Sequence, residues 1–195
     1  MRTRQIDETE GPRRNGNDPA GICCPVVSAA LFPADIVKIK KECCMMEWGK
    51  ILLSAAVFAA DQTGKVMSRT SWSKRNRTVG RKPISVTLCH SRNKGAFLNL
   101  GEKRPAVIQM ISVGLTVILT LVFILTLGKA GKRLLKTGLS LLLGGAFSNT
   151  YDRMKAKAVT DYIRFDFGPE RFRQIVFNLG DFAIMIGALL TVLGS

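Results

Sequence analysis

Apolar residues are gathered into a few long runs, and the polar stretches between them are mostly basic. Ala106–Leu127 contains no charged residue, and at 1.5 Å rise per residue a helix of that length crosses the ~30 Å hydrocarbon core of a bilayer. Leu134–Tyr151 is broken only by Lys136, and Ile175–Ser195 only by Asp181, so both come close to spanning length. Lys136, near the start of its run, can snorkel to the interface. The weakest run is Glu47–Met67, whose apolar heart Ile51–Ala60 is bracketed by Lys50 on one side and by Asp61 and Lys65 on the other. Alone it would suit a buried helix of a soluble protein; beside three stronger runs it is expected to be the first of four. The pattern predicts an all-α membrane protein, a four-transmembrane-helix bundle with spans at about 47–67, 106–127, 134–151 and 175–195. The loop between the first two helices leaves room for a small β element.

Residues 1–46 are a different kind of sequence, with seven Lys/Arg against six Asp/Glu and no apolar stretch long enough for a signal peptide. Residues 1–44 are expected to be a polar, disordered leader and 45–195 the membrane domain. Met45 and Met46, immediately before the first run, offer an alternative start of translation.

Charge changes this picture through its distribution. The net charge is +15, and ten Lys/Arg between Ser68 and Pro105 face a single acid, Glu102. The loop Gly128–Lys136 adds four bases and no acid. A nucleic-acid partner would explain such a balance, but Trp72 is the only aromatic residue between Ser68 and Lys94, so no stacking platform accompanies the basic loop. Positive loops beside hydrophobic runs instead point to anionic lipid head groups, with no nucleic acid.

Candidate chemistry centres on two aspartates at the edges of apolar runs. Asn149 precedes Asp152 by three residues in S-N-T-Y-D-R, and Asn178 precedes Asp181 by three in F-N-L-G-D. On a helix this spacing puts amide and carboxyl on one face. An ionisable group at membrane depth is costly and marks a functional site by default. Other chemistries lack a foothold: His90 is the sole histidine, the doublets Cys23–Cys24 and Cys43–Cys44 and the single Cys89 lack metal-site spacing, and no nucleophile elbow or phosphate-binding loop occurs. No metal or organic cofactor is expected.

In a four-span topology Asp61 closes the first span, Asp152 closes the third, and Asp181 lies about 12 Å into the fourth at 1.5 Å per residue from Arg173. These acids, with Asn93 in the basic loop, fall toward one membrane face. Structural roles compete for each. Asp61 and Lys65 form an i,i+4 pair and are read as purely structural. Asp152 could bridge to Arg153 at a helix end, and Asn149 and Asn178 could join helices. Intramembrane acids also serve proton relays and small transporters, which keeps a four-span transport protein as the alternative class.

From about Glu47 to the end the chain resembles signal peptidase II, the bacterial lipoprotein signal peptidase, an intramembrane aspartic peptidase family. D-Q-T-G-K at Asp61–Lys65 looks like the family's D-Q-x-x-K, and N-K-G-A-F at Asn93–Phe97 is similar to N-x-G-A-A-F, one alanine short. S-N-T-Y-D-R resembles G-N-x-x-D-R, V-T-D-Y at Val159–Tyr162 resembles V-x-D-[FY], and F-N-L-G-D is similar to F-N-x-A-D. Ser148 stands for the usual glycine and Gly180 for the usual alanine.

The resemblance implies a catalytic pair, Asp152 and Asp181. Asn93, Asn149, Arg153 and Asn178 would bind substrate or support the site, and Asp61, Lys65, Gly95 and Asp161 would be structural. It further implies a monomer in the bacterial cytoplasmic membrane that cuts lipid-modified prolipoprotein signal peptides just before the lipidated cysteine, with the site outside the cytoplasm. A homologue that binds lipoproteins without cutting them would carry the same motifs. The positive-inside rule opposes that orientation, because ten Lys/Arg in Ser68–Pro105 and six in Asp152–Arg173 lie on the site's side.

Overall fold

The computed structural model describes residues 34–73, 76–81, 84–95, 103–127, 129 and 131–195, with backbone alone for 34–47 and 84. Helix α1 runs Ala34–Met67 and continues as a π-helical turn, Ser68–Trp72. Strands β1 (Arg77–Arg81) and β2 (Ile84–Asn93) follow, then α2 (Pro105–Leu127) and α3 (Arg133–Ala156). The chain ends in β3 (Val159–Phe165), the short α4 (Glu170–Arg173), β4 (Val176–Phe177) and α5 (Leu179–Leu193).

Four helices thus cover the four apolar runs, but the fold is not all-α. The strands form one antiparallel sheet in the order β1-β2-β3-β4. The small β element allowed for between the first two helices is a hairpin, β1–β2, and forms its outer half. The inner half comes from β3, where Val159, Thr160, Tyr162, Ile163 and Phe165 are β-branched or aromatic residues suited to a pleated surface. Between the pairs Leu88↔Ile163 and Ser91↔Asp161 the register slips, so β2 carries a bulge beside Asp161.

Helix α1 also begins earlier than predicted, so residues 34–44 are helical rather than a disordered leader. Residues 1–33, with the first cysteine doublet, lie outside the described residues. Among the described residues only Pro105–Leu127 is both long and apolar enough to cross a membrane; Leu179–Leu193 is apolar but shorter. Met110, Ile111, Leu115, Ile118 and Leu125 of α2 are exposed, an apolar face without protein cover.

Helix α3 is the centre of the bundle, packed on α5, α1 and α2. Its approach to α5 is close enough to require glycine. A Cβ on Gly187 would stand 2.5 Å from the Leu142 nitrogen, and one on Gly138 2.6 Å from the Thr191 nitrogen. Small residues that let helix backbones meet are how membrane helices associate. Along the same half of α3, Phe123, Leu135, Leu139 and Leu143 form an apolar cluster between α2 and α3. Lys136 does not snorkel outward: it is buried, and its Nζ donates to the Leu127 carbonyl at 2.9 Å, neutralising the carbonyl end of α2.

Candidate active site

The N-x-x-D spacing recurs, but its two copies do different things. Asn149 and Asp152 both sit on α3. Asn178 instead precedes α5 as its N-cap: its Oδ1 accepts from the Asp181 N–H at 2.9 Å, and Asp181 Oδ2 accepts from the Asn178 N–H at 3.1 Å. That reciprocal pair is a capping box. Asp181 therefore lies in the first turn of α5, beside the sheet, and not 12 Å along a span, because β4 uses up the residues just before it.

The acids divide into two groups. In the first, Lys65 of α1 is fully buried between Asp61, 2.7 Å from its Oδ2, and Asp152, 3.6 Å from its Oδ2. Asp152 Oδ1 also faces Arg69 Nη2 at 3.1 Å, and its Oδ2 accepts from the Thr160 N–H at 2.9 Å. Arg69 Nη2 closes the link by donating to Thr160 Oγ1 at 2.8 Å. Asp61 accepts from Ser148 Oγ at 2.5 Å and from the Tyr162 hydroxyl at 3.1 Å. Burial, then the charge of Asp61, pushes the Tyr162 phenol up from its ordinary value, so it acts as a hydrogen-bond donor.

In the second group, Asp161 of β3 and Asp181 of α5 share one residue. Asn178 Nδ2 donates to Asp161 Oδ1 at 2.6 Å, while the Asn178 N–H donates to Asp181. Asn149 Nδ2 donates to Asp181 Oδ1 at 2.9 Å, and Asn93 also hydrogen-bonds Asp161. Among the described residues no lysine or arginine forms an ion pair with either carboxyl. Burial, then the charge of Asp181, raises the Asp161 carboxyl to about 7. Two nearby carboxyls that share one proton are the arrangement acid–base catalysis needs.

The structure thus brings Asn93, Asn149, Asn178 and Asp181 together around Asp161. Asp152, expected as Asp181's partner, belongs to the cationic group, and the two are linked through Lys65, whose Nζ donates to Asn149 Oδ1 at 2.8 Å. Burial lowers the Arg153 guanidinium from its ordinary value, partly offset by the charges of Asp181, Asp161 and Asp152 from both groups. Its Nη2 donates to the Gly95 carbonyl at 3.3 Å, and its Nε is buried without a hydrogen-bond partner. Gly95 in turn donates its N–H to Asn93 Oδ1 at 3.0 Å.

Sequence reasoning missed Arg69 and Ser148 as site residues, although Arg69 continues the i,i+4 series of Asp61 and Lys65. His90 is not in the site: its Nδ1 meets Ser68 Oγ at 2.8 Å, and burial, then Arg69 and Arg92, holds it below its ordinary value.

A helix-rich membrane enzyme is the class this fold shares. Two solved bacterial membrane enzymes superpose with TM-scores of 0.60 and 0.59 at 22% and 24% identity, covering 74% of this chain and 85% and 90% of theirs. The family model for signal peptidase (SPase) II matches residues 53–195. The chain belongs to the signal peptidase II family and is a peptidase. Relatives called lipoprotein signal peptidase include one from Beijerinckia indica, 34% identical over 59% of this chain and 70% of its own length. Another, from Methylocella silvestris, is 31% identical over 74% of this chain and 83% of its own.

Proposed function

We propose that the chain is an aspartic endopeptidase that removes the signal peptide from lipid-modified prolipoproteins just before the lipidated cysteine, with Asp161 and Asp181 as the catalytic pair. The observation that carries this pairing is Asn178, which donates to both carboxyls, while among the described residues neither forms an ion pair with a lysine or arginine. Asp152 is instead ion-paired with Lys65 and Arg69 and accepts from the Thr160 N–H.

The chemistry follows from the shared proton. One carboxyl, ionised, takes a proton from a water as its oxygen attacks the scissile carbonyl. The other, Asp161, donates its proton to the carbonyl oxygen. Collapse of the tetrahedral intermediate breaks the C–N bond, and the proton gained from water passes to the leaving amine of the cysteine. Such acid–base help is worth ~10²–10⁴-fold, and positioning supplies much of the rest.

A signal helix must give up backbone hydrogen bonds to enter the site. Arg153 Nε, a buried donor lacking a partner, suits a substrate carbonyl, and Asn93, Asn149 and Asn178 hydrogen-bond the carboxyls it would bring that carbonyl to. Residues 45–195 form the peptidase unit, a monomer crossing the bacterial cytoplasmic membrane four times with the sheet outside the cytoplasm. The exposed Arg77 and Arg81 of β1 meet anionic head groups there. An exported precursor has to meet the site on that face.

The test is to incubate detergent-solubilised protein with a lipidated precursor peptide and identify the new N-terminus by mass spectrometry. Release of a fragment beginning at the lipid-bearing cysteine supports the reading. Binding without cleavage, or ion flux in liposomes in its place, overturns it.

A further inference from the structure

Behind the proposed catalytic pair, two positions where this chain departs from its family's motifs meet a single carboxylate. Ser148 Oγ donates to Asp61 Oδ2 at 2.5 Å and accepts from Gln62 Nε2 at 2.9 Å and Lys65 Nζ at 3.1 Å, which uses its whole hydrogen-bonding capacity. It is fully buried. The oxygen it holds, Asp61 Oδ2, lies where a side chain at position 180 would begin: a Cβ built on Gly180 stands 3.0 Å from Asp61 Oδ2 and 3.0 Å from Asn178 Oδ1. Real Cβ atoms seldom come so close, so one neighbour would have to yield by a few tenths of an ångström. Asn178 Oδ1 is committed to the α5 cap and Asp61 Oδ2 to Ser148.

The consequence reaches the chemistry through Lys65. An ammonium group only donates, so its contact fixes Asn149 with Oδ1 toward Lys65 and Nδ2 toward Asp181. Lys65 is itself seated by Asp61, 2.7 Å away.

We propose that Ser148 and Gly180 act as a coupled pair of positioning residues: the Ser148 hydroxyl draws Asp61 into the space left by the missing side chain at 180, and that seat aligns Lys65 and Asn149 on Asp181. Neither residue touches substrate. Each matters only in the company of the other.

The experiment is a double-mutant cycle in the full chain, reading kcat and KM for a lipidated precursor peptide together with thermal unfolding in detergent. Gly180→Ala is expected to lower kcat about tenfold or more with KM within about twofold, the order of loss that small misplacements of a site cause. In the Ser148→Gly background, where Asp61 Oδ2 keeps Lys65 but loses the hydroxyl that draws it toward position 180, the same alanine is expected to cost less than about threefold. Losses that multiply in the double variant, or a Gly180→Ala variant with unchanged kcat, would overturn the coupling. If Gly180→Ala alone does not fold, the comparison of Ser148→Gly with the double variant still decides, because a further tenfold loss there contradicts the proposal. The inference rests on Asp181 belonging to the catalytic pair. Asp181→Asn assayed alongside separates the two, since cleavage surviving in that variant sinks the pair itself, whereas multiplicative losses sink only the coupling.

Discussion

Replacing Lys65 by methionine removes the one cation that lies between Asp61 and Asp152 while keeping most of the side chain's volume. Lys65 and Asp61 are each 0% exposed, and the ammonium makes four contacts: Asp61 at 2.7 Å, Asn149 at 2.8 Å, Ser148 at 3.1 Å and Asp152 at 3.6 Å. Breaking a buried ion pair by deleting one partner costs about 3–5 kcal/mol, because the other charge stays buried without compensation. Arg69 still faces Asp152, so the loss falls mainly on Asp61. For a chain of this size ~1 kcal/mol moves the melting midpoint by about 2–4 °C. Lys65→Met should therefore melt about 6–20 °C below the wild type in detergent. The shift should change little between low and high salt, since buried pairs are weakly screened. Adding Asp61→Asn removes the stranded charge and should recover most of the loss. A single variant melting within about 2 °C of the wild type, or a double variant that falls further, would refute the role of Lys65 as a buried counter-ion.

Asp161 should set the basic limb of the pH profile. Its carboxyl is raised from 3.8 to about 7, so kcat/KM should decline as pH rises through about 7; a flat profile from about pH 6 to 9 would contradict this. The same group binds its proton more tightly folded than unfolded. Its stabilisation is fully present below the ordinary carboxylate range and lost as pH rises through about 7. The wild type should thus melt higher at pH 5 than at pH 8, and Asp161→Asn should narrow that gap. Gly187→Leu should destabilise the α3–α5 contact by more than the 1–3 kcal/mol typical of overpacking, since even a Cβ there would lie 2.5 Å from a backbone nitrogen; unfolding in detergent reads it. Replacing exposed Arg77 and Arg81 by glutamine should weaken binding to anionic vesicles by about 1 kcal/mol per residue, and unchanged binding would exclude the hairpin as a lipid contact.

Hydrophobic runs made the helices legible because burial in lipid or protein demands uninterrupted apolar length. The sheet was half visible. The hairpin falls in a polar loop, as expected, but β3 is a short strand between α3 and α4, and seven residues carry too little periodicity to distinguish a strand from a helix end. The start of α1 was passed over because Ala34–Met46 interleaves Ile36, Val37 and Ile39 with Asp35, Lys38, Lys40, Lys41 and Glu42 and so lacks the uninterrupted apolar run that marked the other helices.

The motif residues were legible in the sequence; their contacts were not. Five motifs pointed to the same asparagines and aspartates that the fold gathers. The proposed pairing of Asp181 depends on what neutralises each candidate, and Lys65 on α1 and Arg69 on the π-helical turn after it reach Asp152 from eighty-three or more residues earlier in the chain. Identical N-x-x-D spacing concealed the difference between two residues on one helix and a capping box at the start of another.

The most direct measurement compares Asp152→Asn, Asp161→Asn and Asp181→Asn for cleavage of a lipidated precursor peptide, each shown to be folded by its melting curve. Asp161→Asn and Asp181→Asn should lose cleavage by at least the ~10²–10⁴-fold of acid–base catalysis, while Asp152→Asn should melt earlier and yet retain detectable turnover. A folded Asp161→Asn that still cuts, beside a folded Asp152→Asn that does not, would contradict the assignment of Asp161 and Asp181 as the catalytic pair.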